Sequence, residues 1–403
     1  MSARLAIGCV AVALLGLTLT TPARGALPPA FGGSLVLPAQ ATPSWPDPRE
    51  LTTPLEASVA DAVFDTLYAS DARGRITPML AAGPPVREGE RVRIPLREQV
   101  RRHDGEFLSA RDVISSLNRA LASPHSAWLL AAFARRDAGL DVDAPDEHTL
   151  SFRLRVANAD VAHILASRPL AIRVGRRGRL GTGPYRARLG RDELSLHAFA
   201  GALRGAPYLR TLRLRAPVER TLESRELALG GLDASWVGSG VYGHARALRR
   251  TPLGRSSPIL LVRNRATGPL ARDATWGKLA RLVQRRRLRR LGLEATQSVS
   301  YALPPPSLPA GSGDLPRRLS FLARAGHPLE AALAQALAAM FDDAGVLVEV
   351  RTADAEAYAR AMARGRYDLR IETITPPLLS PSAILGAAFA ATGQAGRAHA
   401  LAR

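Results

Sequence analysis

The stretch between residues 319 and 371 constrains the fold most, because strand and helix patterns alternate along it with only short turns between them. Leu329, Leu333, Leu337 and Phe341 recur at helical spacing, and a second helical segment runs from 354 to 365. The segments 319–322, 346–350 and 367–371 have the pattern of strands. This order of strand, helix, strand, helix and strand predicts an open α/β sheet.

A second unit, between residues 92 and 121, joins a predicted strand to a predicted helix. Val92, Ile94 and Leu96 alternate with polar residues or proline, which is the period of a half-buried strand. The sequence at 104–105 is Asp-Gly, which favours a turn. The segment 109–112 starts with Ser and ends with Asp, a spacing that resembles a capping box at the start of a helix.

The charge of the chain comes almost wholly from arginine. The 403 residues carry a net charge of +20, and Lys278 is the only lysine. The densest clusters are 284–290 and 176–179, and no aromatic residues are interleaved with them as a base-stacking surface would require. Dispersed, solvated arginines are therefore favoured, and we expect no nucleic-acid partner. Binding to anionic lipid or to an acidic partner stays open as an alternative.

The amino terminus has the pattern of a secretory signal peptide over residues 1–25. Arg4 precedes a short apolar run from 5 to 19, and the segment 23–25 offers small residues at a cleavage site. Cys9, the sole cysteine, lies inside the apolar run rather than after it, so it is a poor site for lipid attachment. We expect an exported protein that has lost its only thiol and is not lipid-anchored.

Several motifs, taken in order, resemble one protein family. They are Leu96-Arg97, the HDGE sequence at 103–106, the segment SARDVISSLNR at 109–119, GTGPY at 181–185, and GGLDA at 230–234. Together with the segment around 334–369, they are similar to family 5 extracellular solute-binding proteins, the peptide- and nickel-binding receptors of ABC importers. The resemblance covers about residues 32–385.

The resemblance implies a two-lobed α/β fold of the type II periplasmic-binding-protein kind, with an extra small subdomain on the first lobe. Its expected divisions are a signal peptide at 1–25, a first lobe at 26–60 plus 184–262, a small subdomain at 61–183, a second lobe at 263–385, and a low-complexity tail at 386–403. Such a protein is expected to be periplasmic and monomeric. Its expected partners are a small solute and a permease in the inner membrane.

Candidate ligand contacts follow from the rule that an open α/β sheet binds its ligand beyond the carboxyl ends of its strands. Glu372, Thr373 and Thr375 follow the last predicted strand, and Trp236 and Trp45 are two further candidates. Each tryptophan has an alternative interpretation as part of the core, because buried tryptophans more often pack than bind. We expect no catalytic residue, metal or cofactor, since the eight histidines are scattered and no catalytic motif is present.

The resemblance fails at one functional position. Peptide-binding members usually follow their last strand with Trp, then an Asp that holds the peptide amino group, then Asp-Pro. The corresponding places here hold Ile374, Pro377 and Ser380-Pro381, so the carboxylate is missing. A buried ammonium needs such a partner, because an unpaired buried charge is very costly. Glu372 is the nearest possible substitute.

Two functions therefore remain. The first is a periplasmic substrate-binding protein that captures a peptide or similar small polar solute between its lobes for import. The second is a divergent, non-transporting relative that acts as a periplasmic interaction or sensory protein. The ordered motifs favour the first, and the missing carboxylate and the short carboxyl terminus favour the second. A third, weaker hypothesis is an anion-binding surface protein.

Overall fold

The computed structural model describes residues 31–51, 53–71, 73–235, 259–290, 314–375, 381–392, 394 and 397–398. The strands in this part of the chain are β1 Ser34–Pro38, β2 Tyr68–Ser70, β3 Ile76–Pro78, β4 Val86–Glu88, β5 Arg91–Pro95, β6 Arg135–Arg136, β7 Gly139–Leu140, β8 Val142–Asp146, β9 Thr149–Arg153, β10 Tyr185–Leu189, β11 Glu193–Ala198, β12 Thr211–Arg215, β13 Ile259–Arg263, β14 Arg318–Arg324, β15 Leu347–Ala353 and β16 Leu369–Thr373. The helices are α1 Pro54–Val63, α2 Ala110–Ala120, α3 Pro124–Ala127, α4 Val161–Leu165, α5 Arg220–Ala228, α6 Asp273–Arg281, α7 Arg285–Arg290, α8 Pro328–Asp342, α9 Ala355–Ala363 and α10 Pro381–Ala391. Within these residues, none of the helices combines the length and apolar character needed to cross a membrane.

The amino-terminal sheet has the strand order β1-β12-β11-β10. The first strand, β1, runs parallel to β12, and the other pairs are antiparallel. Leu194, Leu196 and Leu214 from this sheet pack against Val59 and Val63 of α1. The helical spacing of Leu55, Val59 and Val63 predicts a helix over 55–68, but α1 ends at Val63, because the next residues are extended and lead into β2.

The middle sheet confirms the alternation seen in the sequence. Its order is β4-β5-β9-β8, with all pairs antiparallel. Val92 pairs with Phe152 and Ile94 with Leu150, and the four side chains are at most 1% exposed. A side chain of this size contributes about 1.5–3 kcal/mol when it is fully buried. The middle sheet and α2 therefore form a tightly packed unit.

Helix α2 begins with the capping box that the sequence suggested. The Ser109 hydroxyl accepts from the Asp112 backbone N–H at 3.3 Å, and the Asp112 carboxylate accepts from the Ser109 N–H at 3.1 Å. These two bonds satisfy amide groups that the first helical turn leaves without partners. The helix then buries Val113 and Leu117 against the middle sheet.

The carboxy-terminal sheet has the order β13-β16-β14-β15. Strand β14 runs parallel to both β15 and β16, and β13 is antiparallel to β16. The predicted open α/β sheet is therefore present, with one antiparallel edge strand. Its apolar face packs against α6, α7 and α8 through Leu279, Leu288 and Phe341, among others.

The sequence pattern between 276 and 293 predicts one helix, but the described chain forms two there, α6 and α7. Leu279 and Leu288 are both buried in the same core, at 0% and 7% exposure. Nine residues on a continuous helix turn through about 900°, which would place these two leucines on opposite faces. The break at 282–284 lets both side chains reach the sheet.

The segment interpreted as a low-complexity tail from 386 lies partly inside a helix. Helix α10 runs from Pro381 to Ala391, and Ala387 and Phe389 pack on the core of the middle sheet. Gly386 lies so close to Trp128 that a Cβ on it would be 2.3 Å from the ring. The helix is apolar on all its sides, and such a helix is stable only when it is buried.

Two motifs from the sequence meet at one buried histidine. The Gly181 N–H donates to His103 Nδ1 at 3.2 Å, so the other ring nitrogen, Nε2, carries the proton and donates to the Gly183 carbonyl at 3.0 Å. The His103 N–H also donates to the Gly181 carbonyl at 2.9 Å. Both glycines lie against the end of α1, where the Gly183 N–H donates to the Val63 carbonyl at 3.1 Å.

We predict that Gly181→Ala destabilises the fold by about 2–3 kcal/mol, because its Cβ would lie 2.0 Å from the Val63 carbonyl oxygen and the backbone would have to move. Gly83→Ala is the matched control, since its Cβ would meet only the Pro95 side chain at 3.8 Å. Denaturant unfolding at neutral pH measures both changes. Equal stability of the two variants would contradict the close packing of the 181–183 segment.

We predict that His103 makes the fold sensitive to acid. Burial lowers the pKa of His103 below its usual 6.5, so the unfolded chain binds more protons than the folded one as the pH falls below about 6.5. The stability due to the neutral ring is complete above that pH and is lost as the pH falls towards the lower folded-state pKa. One such proton changes the free energy of unfolding by at most about 1.4 kcal/mol per pH unit.

The measurement is the free energy of unfolding of wild type and His103→Gln between pH 7.5 and 5. The wild-type curve should fall more steeply below pH 6.5 than the curve of the variant. His125→Gln, which changes an exposed histidine at the start of α3, should keep the wild-type slope. A variant curve parallel to wild type would exclude a buried neutral His103.

Candidate functional site

The carboxyl ends of β14 and β16 meet at one edge of the carboxy-terminal sheet, because the two strands are parallel and adjacent. Charged and polar side chains collect at this edge, on and around the sheet face opposite the apolar core. We call them the carboxyl-edge cluster, which consists of Arg324, His327, Glu330, Tyr358, Arg370 and Glu372. Open α/β sheets bind their ligands beyond this kind of edge.

The ion pair between Arg324 and Glu330 forms one half of the cluster. Arg324 ends β14, and Glu330 lies in the first turn of α8, which follows directly. Arg324 Nε donates to Glu330 Oε2 at 3.0 Å, and both side chains are at most 15% exposed. The second carboxylate oxygen of Glu330, Oε1, is buried and has no partner. Burial raises the pKa of Glu330, although the charge of Arg324 opposes that change.

The ion pair between Arg370 and Glu372 forms the other half. The two residues are separated by one position on β16, so their side chains lie on the same face of the sheet. Arg370 Nη1 donates to the Glu372 carboxylate, and Arg370 Nη2 donates to the Ala391 carbonyl at the end of α10 at 2.6 Å. Arg370 is 3% exposed, and its Nε is buried without a partner.

Two further groups stand beside these pairs. The Arg324 guanidinium lies over the Tyr358 ring, 5.3 Å from its centroid, and the Tyr358 hydroxyl is buried without a partner. Burial, with a smaller effect from the charge of Arg324, lowers the pKa of His327 to about 4. His327 is therefore neutral at pH 7, and the two ion pairs consist of two arginines and two carboxyl groups.

The edge is notable for its unpaired polar atoms. Three buried side-chain atoms of the cluster lack hydrogen-bond partners, namely Glu330 Oε1, Tyr358 Oη and Arg370 Nε, and so does Thr375 Oγ1, two residues after the end of β16. An unsatisfied buried polar atom costs about 1–3 kcal/mol. Such atoms call for an explanation, and one explanation is a polar molecule that supplies the missing bonds. They offer an anionic acceptor, a cationic donor and two hydroxyl groups.

The amino-terminal half of the chain touches the carboxy-terminal sheet beside this edge. The Thr42 N–H donates to the carbonyl of Gly326 at 2.9 Å, in the turn between β14 and α8. Gly326 has φ +75°, and a Cβ on it would lie 1.9 Å from Thr42 Oγ1. The cluster is therefore next to a contact between the segment after β1 and the turn after β14, and this contact leaves room only for glycine at position 326.

The candidate ligand contacts proposed from the sequence lie in different parts of the structure. Glu372 belongs to the cluster, but Arg370 neutralises it, and Thr375 contributes one of the unpaired hydroxyls. Thr373 ends β16 opposite Ile259, where it is half-buried.

Of the two candidate tryptophans, only Trp45 is among the described residues, and it does not join this group. Trp45 packs against the amino-terminal core, with the Arg179 guanidinium 5.0 Å from its ring centroid and its own Nε1 buried without a partner. Trp236 lies outside the described residues. Ile374, at the first of the divergent positions, is buried at 3% exposure.

Sequence reasoning missed Arg324, Glu330, Tyr358 and Arg370. The available signal was an arginine inside an apolar strand, since Arg370 stands between Leu369 and Ile371, both of which are buried. A charged residue in such a place must be paired. In the described ranges, no group of three or more His, Cys, Asp or Glu side chains is arranged to hold a metal ion.

Comparison with known proteins gives one family match. Residues 75–191 match the model of the bacterial extracellular solute-binding proteins, family 5 Middle. This range contains β3 to β10, α2 and the His103 contact with the segment 181–183.

Solved structures resemble the chain over most of its length. The murein tripeptide binding protein MppA of Escherichia coli is 19% identical, with a TM-score of 0.71, over 91% of this chain and 83% of that one. OppA of Listeria monocytogenes bound to peptide is 13% identical, with a TM-score of 0.72, over 91% and 90%. AgaA of A. tumefaciens R10 in complex with agropinic acid is 17% identical, with a TM-score of 0.67, over 92% and 88%.

At these identities the structures establish the fold, which is the two-lobed α/β fold of the periplasmic binding proteins. The family resemblance read from the motifs is confirmed in the region that contains the HDGE and GTGPY segments. The chain thus has a two-lobed α/β fold, and its residues 75–191 match the family 5 extracellular solute-binding proteins.

Proposed function

We propose that this protein is a periplasmic substrate-binding protein of an ABC importer, which captures a peptide or a similar small polar solute between its two lobes. The family match and the fold support a binding role, because the similar proteins are named for the peptides and solutes that they bind. The proposal includes export by a signal peptide at 1–25 and delivery to an inner-membrane permease. It also includes the first lobe, small subdomain and second lobe at the ranges expected from the sequence.

The observation that carries the proposal is the set of unpaired polar atoms at the carboxyl-edge cluster. A protein built only for stability would pair these atoms or replace them by apolar groups, since a buried ion pair adds little stability over a well-packed apolar core. A solute with both donor and acceptor groups supplies what Glu330 Oε1 and Arg370 Nε lack. Glu372 and Thr375 are retained as proposed contacts, and Thr373, Trp45 and Trp236 as weaker ones.

The alternative function is a divergent, non-transporting relative that acts in periplasmic interaction or sensing. Two observations favour it. Glu372, the nearest substitute for the missing carboxylate, is already paired with Arg370, and Ile374 is part of the apolar interior. Among the described carboxylates of the carboxyl-edge cluster, a free peptide amino group therefore finds only the buried Oε1 of Glu330 without a partner.

Ligand-dependent thermal unfolding of the mature protein decides between the two functions. We predict that at least one class among di- to pentapeptides, amino acids and Ni²⁺ raises the melting temperature. A ligand at 100 times its dissociation constant stabilises the folded state by about 2.7 kcal/mol, which gives a measurable shift. A cooperative melt with no shift for any class would reject peptide or nickel capture and favour the non-transporting relative.

A double variant tests whether the carboxyl-edge cluster binds the solute. We predict that the double variant Arg370→Gln/Glu372→Gln, which removes both charges together, weakens binding of the identified solute about tenfold or more, because charge-assisted hydrogen bonds are lost. Removing one charge alone would leave the other buried and would cost stability as well.

The matched control is Arg351→Gln/Glu349→Gln on the neighbouring strand β15. That pair has the same one-residue spacing and a 2.8 Å contact, but its side chains are 58% and 66% exposed. It should bind the solute within about twofold of wild type, as expected for an exposed ion pair. Calorimetric titration gives both affinities. Wild-type affinity in the cluster variant would place the solute elsewhere.

A further inference from the structure

A shallow groove runs along one face of α2. Its lining residues are separated in the sequence from those of the carboxyl-edge cluster. The groove has a volume of about 570 Å³ and is lined by Arg111, Ile114, Ser115, Asn118 and Arg119. These positions are spaced by three and four residues, so they share one face of the helix. The opposite face of α2 is the one that packs on the middle sheet through Val113 and Leu117.

The polar groups of the groove present hydrogen-bond donors. Arg119 Nη1 donates to Ser115 Oγ at 2.8 Å and Arg119 Nη2 donates to the Arg173 carbonyl, so the Ser115 hydroxyl proton is directed elsewhere. Asn118 Oδ1 accepts from the Leu140 N–H at 2.9 Å, and the amide nitrogen of Asn118 is a further donor. Arg111 is exposed and has no ion-pair or hydrogen-bond partner among the described residues.

No acid lines the groove; Asp112 and Asp47 nearby are paired with arginines, and Glu50 lies near Arg49 and Arg173. Asp112 accepts from Arg102 at 3.2 Å and caps α2. Asp47 is shared between Arg49 and Arg173, at 2.8 Å and 2.9 Å. Positive charge is therefore locally in excess around this face of the helix.

The neighbouring positive charge affects the pKa of Arg119. Arg49 Nη1 donates to the Arg119 carbonyl at 3.0 Å, which brings the two guanidinium-bearing residues together. Burial and the charge of Arg49 lower the pKa of Arg119, with Asp112 opposing only partly. An anion in the groove would relieve this repulsion.

We propose that this groove is a binding site for a phosphomonoester. Two guanidinium groups with no acid among the lining residues match a group that carries about −1.5 to −2 charges at pH 7, and arginine is well suited to phosphate oxygens. Ser115 and Asn118 add neutral donors. Ile114 and the aliphatic stems of the arginines supply an apolar floor for the organic part of the ligand. The phosphomonoester can belong to a soluble metabolite or to a lipid headgroup.

Calorimetric titration of the mature full-length protein with phenyl phosphate, at low ionic strength, tests the site. We predict saturable binding at one site, which Arg111→Gln weakens about tenfold and Ser115→Ala weakens severalfold. Both residues are exposed on α2, so the variants should fold normally. Arg191→Gln, which removes the same charge from the exposed turn between β10 and β11, should bind within about twofold of wild type.

Two vesicle arms identify the source of the phosphate. Vesicles with phosphatidic acid carry a phosphomonoester, and vesicles with phosphatidylglycerol carry a diester. Binding to the first that phenyl phosphate competes away supports a lipid headgroup, and binding of phenyl phosphate alone supports a soluble ligand. Absence of saturable binding in every arm overturns the proposal. Equal weakening by Arg191→Gln and Arg111→Gln also overturns it, since net charge would then explain the binding.

Discussion

The contact of His103 with the segment 181–183 is the interaction on which the arrangement of the chain depends. One neutral imidazole accepts from Gly181 and donates to Gly183, and it thereby ties the turn before α2 to the point where the chain returns to the amino-terminal sheet. Thr182, between the two glycines, donates to the buried Asp65 carboxylate at 2.8 Å. The three consecutive residues at 181–183 are thus all fixed by buried polar contacts.

The packing around this contact explains why residues 181 and 183 are glycine and why the buried Asp65 needs polar partners. Gly181 and Gly183 lie where a Cβ would overlap the backbone at the end of α1. Burial raises the pKa of Asp65, although Arg204 at 2.9 Å and the Thr182 hydroxyl oppose that change, so both partners favour the charged form of this carboxyl group. A histidine, two glycines and an acid that are far apart in sequence form one joint, which positions the middle sheet relative to the first one.

Local patterns predicted the parts of the fold that depend on local physics. The alternation of Val92 and Ile94 and the capping box at Ser109 follow from the geometry of a single strand or helix, and both were readable. The break between α6 and α7 was not readable, because it depends on where Leu279 and Leu288 must point to reach a common core. Helix α10 was missed for a related reason, since Ala and Gly look featureless until Trp128 is seen against Gly386.

The candidate site likewise has features that follow from local sequence and features that depend on tertiary packing. The rule for open α/β sheets directed attention to the end of β16, where Glu372 pairs with Arg370, and the ligand contacts there stay a prediction. The rule could not predict that Arg324 and Tyr358 come together there, because one ends β14 and the other lies on α9, and only tertiary packing brings their side chains into contact. It also could not predict that Glu372 is neutralised by its strand neighbour Arg370.

Arg370 connects the cluster to the rest of the molecule. Its guanidinium is divided between the Glu372 carboxylate, the last carbonyl of α10 and an Nε that has no partner. A positive charge at the carboxyl end of a helix is stabilising, because the carbonyl groups there carry partial negative charge. Since α10 also packs on the middle core through Phe389, any group that draws Arg370 towards itself acts on a helix shared by two parts of the protein. A solute bound at Arg370 Nε would therefore also affect the packing of α10 on the middle core, because the same guanidinium contacts the end of that helix.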